Sequence, residues 1–259
     1  MRITIIGAGN VGTNLHYALT QRHIQARLVH AREWLSNPTA HELPEADAYI
    51  YAIADYALKE VVDRVHAPKA LHLHTSGTVH IDVFGPDKPH AGIIYFFQSF
   101  SKEQLIDDWS TIPVFIEGKS IDDVAAVYTL AQMLSNRIYE CSQRDRERLH
   151  IAGVFANNYA NLMYRMAADV LRDTQIPFEA LLPLIDQTAA KVHTMRPADA
   201  QTGPAQRGDE EVIKHHLQVL AAGNRLQTEV FSAEEVSSVY QELAALIAKG
   251  RNHPNQPNE

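Results

Sequence analysis

The sequence predicts an α/β fold, a doubly wound and mostly parallel sheet followed by an all-α carboxy-terminal domain. Three observations predict it. The first half alternates short apolar runs with stretches of helical period, the pattern of βαβ units. The cluster Gly7-Ala8-Gly9-Asn10-Val11-Gly12 stands between the first apolar run and the first helical stretch. From Gln143 to Thr174, apolar residues recur at three- and four-residue steps, which is the spacing of one helix face.

Strands are expected at Arg2 to Ile6, Ala26 to His30, Ala48 to Ile53, Ala70 to His74, Gly92 to Phe97 and Pro113 to Glu117. Between the first two, Val11, Leu15, Ala18 and Leu19 share a helix face. Asp55 closes the third strand and reads as the N-cap of a helix beginning near Tyr56, or as a residue lining the crevice at the strand's carboxyl end. Ser99 or Ser101 would cap a helix starting near Lys102. One long helix is expected from Gln143 to Thr174, capped by Ser142, and two or three more follow to Ala248. This gives a domain over residues 1–141, a helical domain over 142–250 and a disordered tail over 251–259, which is rich in Asn and Pro and has no apolar residue. Pro197 to Asp209 is rich in helix breakers and reads as a functional loop or a plain helix connection.

The 259 residues suit one large or two modest domains. With 46% apolar and 21% charged residues, the composition is that of a globular protein and excludes disordered, collagenous and disulfide-scaffold classes. The net charge of −8, without any Lys/Arg run, gives no footprint for a nucleic-acid partner. Cys141, the single cysteine, can form neither an intrachain disulfide nor a thiolate cluster. Met1-Arg2 runs straight into Ile3, leaving no room for a leader, and no apolar run approaches the roughly 18 residues of a bilayer span. The expectation is a cytoplasmic chain with no membrane partner.

The glycine cluster is a G-x-G-x-x-G fingerprint in the setting its mechanism requires. Gly7 permits the turn, Gly9 lets backbone approach a pyrophosphate, and Gly12 lets the helix pack on the strand. Asn10 and Val11 open the helix, whose free N–H groups attract phosphate. A Gly-rich turn without a ligand is the alternative. No acid closes the second strand, where NAD-binding folds and SAM-dependent methyltransferases usually place one. The chain has Arg32 there, and a guanidinium can fork onto a 2′-phosphate, so NADP(H) is the expected cofactor. Glu33 argues the other way, and Arg32 could be a solvated loop residue. Ala54 ends the third strand beside the crevice. His74-Thr75-Ser76-Gly77 ends the fourth, making Ser76 and Gly77 pocket candidates. His72 and His74 share a strand face, but no third ligand supports a metal. Gln98 follows the fifth strand and could bind a substrate carbonyl or carboxylate.

On the predicted long helix, steps of 7, 8 and 11 residues bring His150, Asn157 or Asn158, and Asn161 onto one polar stripe. A His can move a proton near neutrality and an Asn can orient a substrate. The same stripe could equally serve satisfied hydrogen bonds at a domain or dimer contact.

The fingerprint, His74-Thr75-Ser76-Gly77, Gln98-Ser99-Phe100-Ser101, the His150, Asn158 and Asn161 helix, and Thr202-Gly203-Pro204-Ala205-Gln206-Arg207-Gly208-Asp209 together resemble a Rossmann-like family with a carboxy-terminal domain of unknown function, the DUF2520 type. The resemblance reaches from the amino terminus to about residue 248. Its wider relatives are pyrroline-5-carboxylate reductase, prephenate dehydrogenase and the β-hydroxyacid dehydrogenases. It implies a dinucleotide domain and a helical domain that often forms a homodimer. β-Hydroxyacid dehydrogenases carry a Lys followed closely by an Asn on the interdomain helix. This chain has His150 there and no Lys between Lys119 and Lys191, so the resemblance does not imply lysine-assisted hydride chemistry. The expected activity is an NADP(H)-dependent oxidoreductase acting on a small polar carbonyl or imine in an interdomain cleft. Its catalytic set would be His150, Asn158, Asn161 and Ser76, and Gln98 and Arg207 would hold substrate. Asp209 would cap the following helix. The rival reading is a dinucleotide-binding or redox-sensing module without turnover.

Overall fold

The structure, a computed structural model, describes residues 1–36, 43–222 and 230–251. The expected tail lies outside them except for Arg251, which is the last residue of a helix. The chain divides into two compact units, Met1–Asn158 and Tyr159–Glu259. That division falls after the first helix of the second half, where the sequence had suggested residue 141.

In the first unit seven strands form one sheet: β1 (Ile3–Ile6), β2 (Ala26–Val29), β3 (Ala48–Tyr51), β4 (Leu71–His74), β5 (Ala91–Phe96), β6 (Val114–Gly118) and β7 (Ile138–Glu140), in the order β2-β1-β3-β4-β5-β6-β7. The β1–β2, β1–β3, β3–β4 and β4–β5 pairs are parallel. β6 runs antiparallel to β5, and β7 parallel to β6. The six expected strands are present within a residue or two. β7 has three residues and too little pattern to be foreseen. Helices α1 (Asn10–Gln21), α2 (Ala31–Ser36), α3 (Asp55–Arg64), α4 (Ile121–Gln132) and α5 (Gln143–Gly153) complete the unit. No helix forms near Lys102. Instead the Ser101 hydroxyl hydrogen-bonds within its own turn to Glu103.

All four residues of β1 and of β3 are buried, as expected for strands covered on both faces. Alternation sends their side chains to opposite layers. Ile3, Ile5, Ile50, Leu73 and Ile94 pack with Leu15 and Leu19 of α1 and Leu130 of α4. Ile6, Tyr49, Tyr51 and Ile93 pack with Leu58 and Val62 of α3 and with Phe84. Each fully buried aliphatic or aromatic side chain stabilises by about 1.5–3 kcal/mol, so the two layers fix the sheet. Buried Asn14 of α1 anchors the irregular segment after β5. Its amide donates to the Asn10 and Ser101 carbonyls and accepts from the Ile106 N–H.

His72 and His74, read as a possible metal pair, are structural. Among the described residues no group of His, Cys, Asp or Glu is arranged to hold a metal. Both rings are buried in the second layer, stacked on Tyr49 or Phe84. The His72 Nε2–H donates to the Ala67 carbonyl, which can only accept, so its Nδ1 accepts from the Tyr51 hydroxyl at 2.9 Å. His74 Nδ1 accepts from the Ser76 N–H at 3.2 Å.

The second unit is helical, with α6 (Ala160–Leu171), α7 (Leu182–Lys191), α8 (Pro197–Ala200), α9 (Pro204–Arg207), α10 (Glu210–Ala222) and α11 (Ala233–Arg251). The expected single helix from 143 to 174 is broken, because Val154–Tyr159 forms a π-helical turn between α5 and α6. No described helix is long and apolar enough to cross a membrane.

The buried imidazoles set a pH dependence. Burial holds His72 at about 4 and His74 at about 3, against an ordinary value of 6.5. Above about pH 6.5 both are neutral in the folded and unfolded chain, and the folded state keeps its full advantage. As pH falls from there toward 4, the unfolded chain binds protons that the folded core refuses, so stability drops. The urea midpoint should therefore fall between about pH 7 and about pH 5, before most carboxylates titrate. An unchanged midpoint would mean that these rings are not held neutral.

Candidate active site

Local geometry at the end of β1 shapes the site. Gly7 has a φ of 119°, and a Cβ there would lie 2.2 Å from the Ala52 carbonyl oxygen, so only glycine fits. A Cβ on Gly12 would lie 1.8 Å from the Gly7 carbonyl oxygen. At Gly9 the position of a Cβ meets nothing within 4 Å. The three glycines thus divide as the fingerprint demands: two close the turn, and one leaves open space above the first turn of α1. Gly9 is the N-cap of that twelve-residue helix without a side-chain cap, and the first turn carries no acid. Its N–H groups and positive dipole end are available to an anion. A dinucleotide pyrophosphate fits this cradle.

The carboxyl ends of β1, β3 and β4 open on one cleft of about 1130 Å³, lined by Gly7, Gly9, Asn10, Val11, Arg32, Ala54, Asp55, Ser76, Gly77 and His150, together with Arg64, Tyr95 and Lys102. It lies where β2 and β3 diverge on either side of β1, the place where open α/β sheets bind ligands. Arg32 sits exposed in the first turn of α2. Glu33 turns toward His30, at 3.7 Å. Arg64 adds a second guanidinium to the cleft, held by Glu60 at 2.8 Å.

Asp55 lines the cleft but is not the N-cap. Ala54 holds that position, and the Asp55 carboxylate accepts from the Thr78 hydroxyl at 2.6 Å. The Ser76 hydroxyl oxygen accepts from the backbone N–H groups of Thr78 and Val79 at 3.1 and 3.0 Å. Ser76 therefore shapes its turn while its edge faces the cleft.

His150 enters from α5, whose placement rests on Arg146 one turn earlier. The Arg146 side chain is 1% exposed, pairs with Glu117 of β6 and Gln143, and donates to the Val79 carbonyl at 3.0 Å. On the same helix face, the His150 Nδ1 lies 3.1 Å from the Tyr95 hydroxyl. Gly77 makes room for this pair, since a Cβ there would lie 2.8 Å from His150 Nδ1 and 3.0 Å from the Tyr95 ring. Burial pushes the Tyr95 phenol up from the usual tyrosine range, with Arg146 opposing, so it is a neutral hydroxyl.

The structure does not gather every expected residue into this cleft. Gly12 lies beneath it as a packing residue. Gln98 is exposed, and its side-chain oxygen accepts from the Ser99 N–H at 2.8 Å. Asn157 and Asn158 are exposed on the π-helical turn, and Asn161 lies in the first turn of α6 in the second unit. The wider turn upsets the 100° phase from which the stripe was read. Arg207 belongs to the second unit, in short α9 between Gly203 and left-handed Gly208, with its guanidinium on Asp209 at 2.8 Å. That pairing occupies the carboxylate that was expected to cap α10.

Tyr95 and Arg64 are two cleft residues that the sequence did not single out. Tyr95 is the half-buried residue of an otherwise buried strand that ends at the crevice, which is the signal it carried. Arg64 had only its place in the last turn of α3.

No curated protein matches the chain. Among solved structures, a candidate NADP oxidoreductase from Bacteroides fragilis is 36% identical, with a TM-score of 0.83 over 96% of this chain and 98% of its own. A Thermotoga maritima protein is 17% identical, with a TM-score of 0.73 over 96% of this chain and 99% of its own. An imine reductase from Myxococcus stipitatus, solved in complex with NADP+, is 15% identical with a TM-score of 0.64 over 95% of each chain, a likeness of fold. The domain of unknown function DUF2520 matches residues 112–247, more than half of the sequence, and the chain belongs to that family.

Proposed function

We propose that this chain is an NADP(H)-dependent oxidoreductase moving a hydride to or from a carbonyl or imine carbon of a small polar metabolite. The observation that carries the reading is the shared cleft, in which an anion-ready helix end and a Tyr–His pair line one cavity. The relative named for NADP oxidoreduction is similar over nearly the whole chain, which supports the same class. When bound, the cofactor supplies the hydride. Gly7, Gly9, Asn10 and Val11 would hold its pyrophosphate and Arg32 its 2′-phosphate. Ala54, Asp55, Ser76 and Gly77 would border the nicotinamide end. In the reductive direction, protonated His150 gives its proton to the substrate oxygen or nitrogen as the carbon is reduced, and is left neutral. A single cysteine fits a reducing, cytoplasmic compartment.

The second unit is proposed to form a homodimer. Among its described residues few apolar side chains are buried, while Val219 and Leu246 are 56% and 63% exposed. Met163, Met166, Val170, Leu220 and Leu243 line an apolar groove of about 540 Å³ within it. Contiguous apolar surface of this kind marks association sites. Light scattering should return twice the 29.0 kDa of the chain, and a single-chain mass would remove the dimer.

Calorimetric titration tests the cofactor. NADPH should bind tightly, NADH more weakly, and Arg32→Ala should cost about tenfold or more in NADPH affinity with little change for NADH. Failure to bind either nucleotide would end the oxidoreductase reading. With an imine and carbonyl panel, His150→Ala should slow turnover by about 10²- to 10⁴-fold while leaving NADPH affinity unchanged. Tight NADPH binding without oxidation by any panel member would instead identify a dinucleotide sensor.

A further inference from the structure

The Tyr–His contact in the cleft repeats one in the core. In both, a tyrosine hydroxyl meets a histidine Nδ1, at 2.9 Å between Tyr51 and His72 and at 3.1 Å between Tyr95 and His150. In the core pair the acceptor-only Ala67 carbonyl fixes the proton on Nε2 of His72, so the phenol is the donor. In the cleft pair, among the described residues, no carbonyl hydrogen-bonds the far nitrogen. His150 Nδ1 is the hydrogen-bond partner that Tyr95 meets, and it is packed against Gly77. His150, Tyr95 and Gly77 all line the same cavity.

We propose that Tyr95 is the positioning residue of His150: its hydroxyl holds Nδ1, so that Nε2 is the nitrogen presented to substrate and carries the proton of the neutral imidazole. The assignment rests on reading the cleft as a reductase site, but the hydrogen bond itself does not. A phenol suits this task because its oxygen both donates and accepts. With neutral His150 it donates to Nδ1. With the imidazolium it accepts from the Nδ1–H, so the ring keeps its orientation in both protonation states. A carboxylate in its place could only accept and would put the neutral ring's proton on Nδ1. The substrate atom facing Nε2 is then a hydrogen-bond acceptor, a carbonyl oxygen or an imine nitrogen.

The contact also explains why Gly77 follows Ser76 in the β4 turn. A side chain there would lie against both the Tyr95 ring and the His150 Nδ1. Tyr95 is further held by edge-on packing against Phe97, at 6.0 Å between ring centres. Tyr95→Phe keeps that packing and removes only the hydroxyl.

Long-range proton–nitrogen correlation on ¹⁵N-histidine-labelled protein without nucleotide reads the tautomer directly, with the His150→Gln spectrum assigning the signal. Neutral His150 should be mainly the Nε2–H form in the parent protein, and Tyr95→Phe should shift it toward the mixture of a free imidazole. A dominant Nδ1–H form in the parent, or an unchanged tautomer in Tyr95→Phe, overturns the proposal. In turnover of NADPH with a simple cyclic imine, the same variant should lose kcat by up to about 10²-fold with its NADPH affinity unmoved. A parent protein that binds NADPH but reduces nothing would overturn the reductase reading, and the tautomer spectra would still decide the pair.

Discussion

The architecture of the cleft depends on one steric constraint, the convergence of three backbone segments at the end of β1. Gly7 turns through a conformation that side-chain-bearing residues avoid, directly against the Ala52 carbonyl, and Gly12 of α1 lies against Gly7 in turn. A methyl group at either position would occupy space that backbone already fills. Because those atoms belong to β1, α1 and the end of β3, no single side-chain movement could relieve the overlap. The same closeness aims α1 across the sheet with its amino end at the crevice. It also leaves Gly9, the one fingerprint glycine without neighbours, as open floor for a ligand.

A second fastening brings the proton-bearing groups to that floor. α5 follows the last strand, and little in its exposed, highly charged sequence would hold it by apolar burial. Arg146 is its only buried residue. A buried guanidinium is costly unless paired, and removing one partner of such a pair typically costs about 3–5 kcal/mol. Arg146 meets Glu117 of β6, the Val79 carbonyl and Gln143, which ties the helix to the sheet and to the turn after β4 together. His150, one turn further along, inherits its position from that tie.

Backbone-led features were legible in the sequence, and side-chain partnerships were not. The apolar runs located β1 and β3 most sharply, because a strand buried on both faces has no polar positions to blur its limits. The fingerprint located the anion cradle because its glycines are demanded by backbone geometry. Tyr95 escaped notice because a tyrosine near a strand end reads equally as core, and only the fold brings it to His150 from 55 residues away. The Asp55 cap and the helix after Ser101 were misjudged for a related reason: tertiary partners, Thr78 for Asp55 and Asn14 for the Ser101 segment, outweigh local propensity.

The π-helical turn over Val154–Tyr159 is the feature that a regular helical period conceals most completely. Four-residue steps continue through it in the sequence, so the asparagines seemed to continue the stripe begun at His150. A π-turn widens the ring to i→i+5 and advances each residue by a smaller angle, so phase is lost just beyond the histidine. The turn ends where the first compact unit gives way to the second. The regular ladder is thus interrupted between the part of the helix that Arg146 fastens to the sheet and the part that begins the helical unit. His150 stands on the fastened side, and its register with Tyr95 and Gly77 is set within the first compact unit.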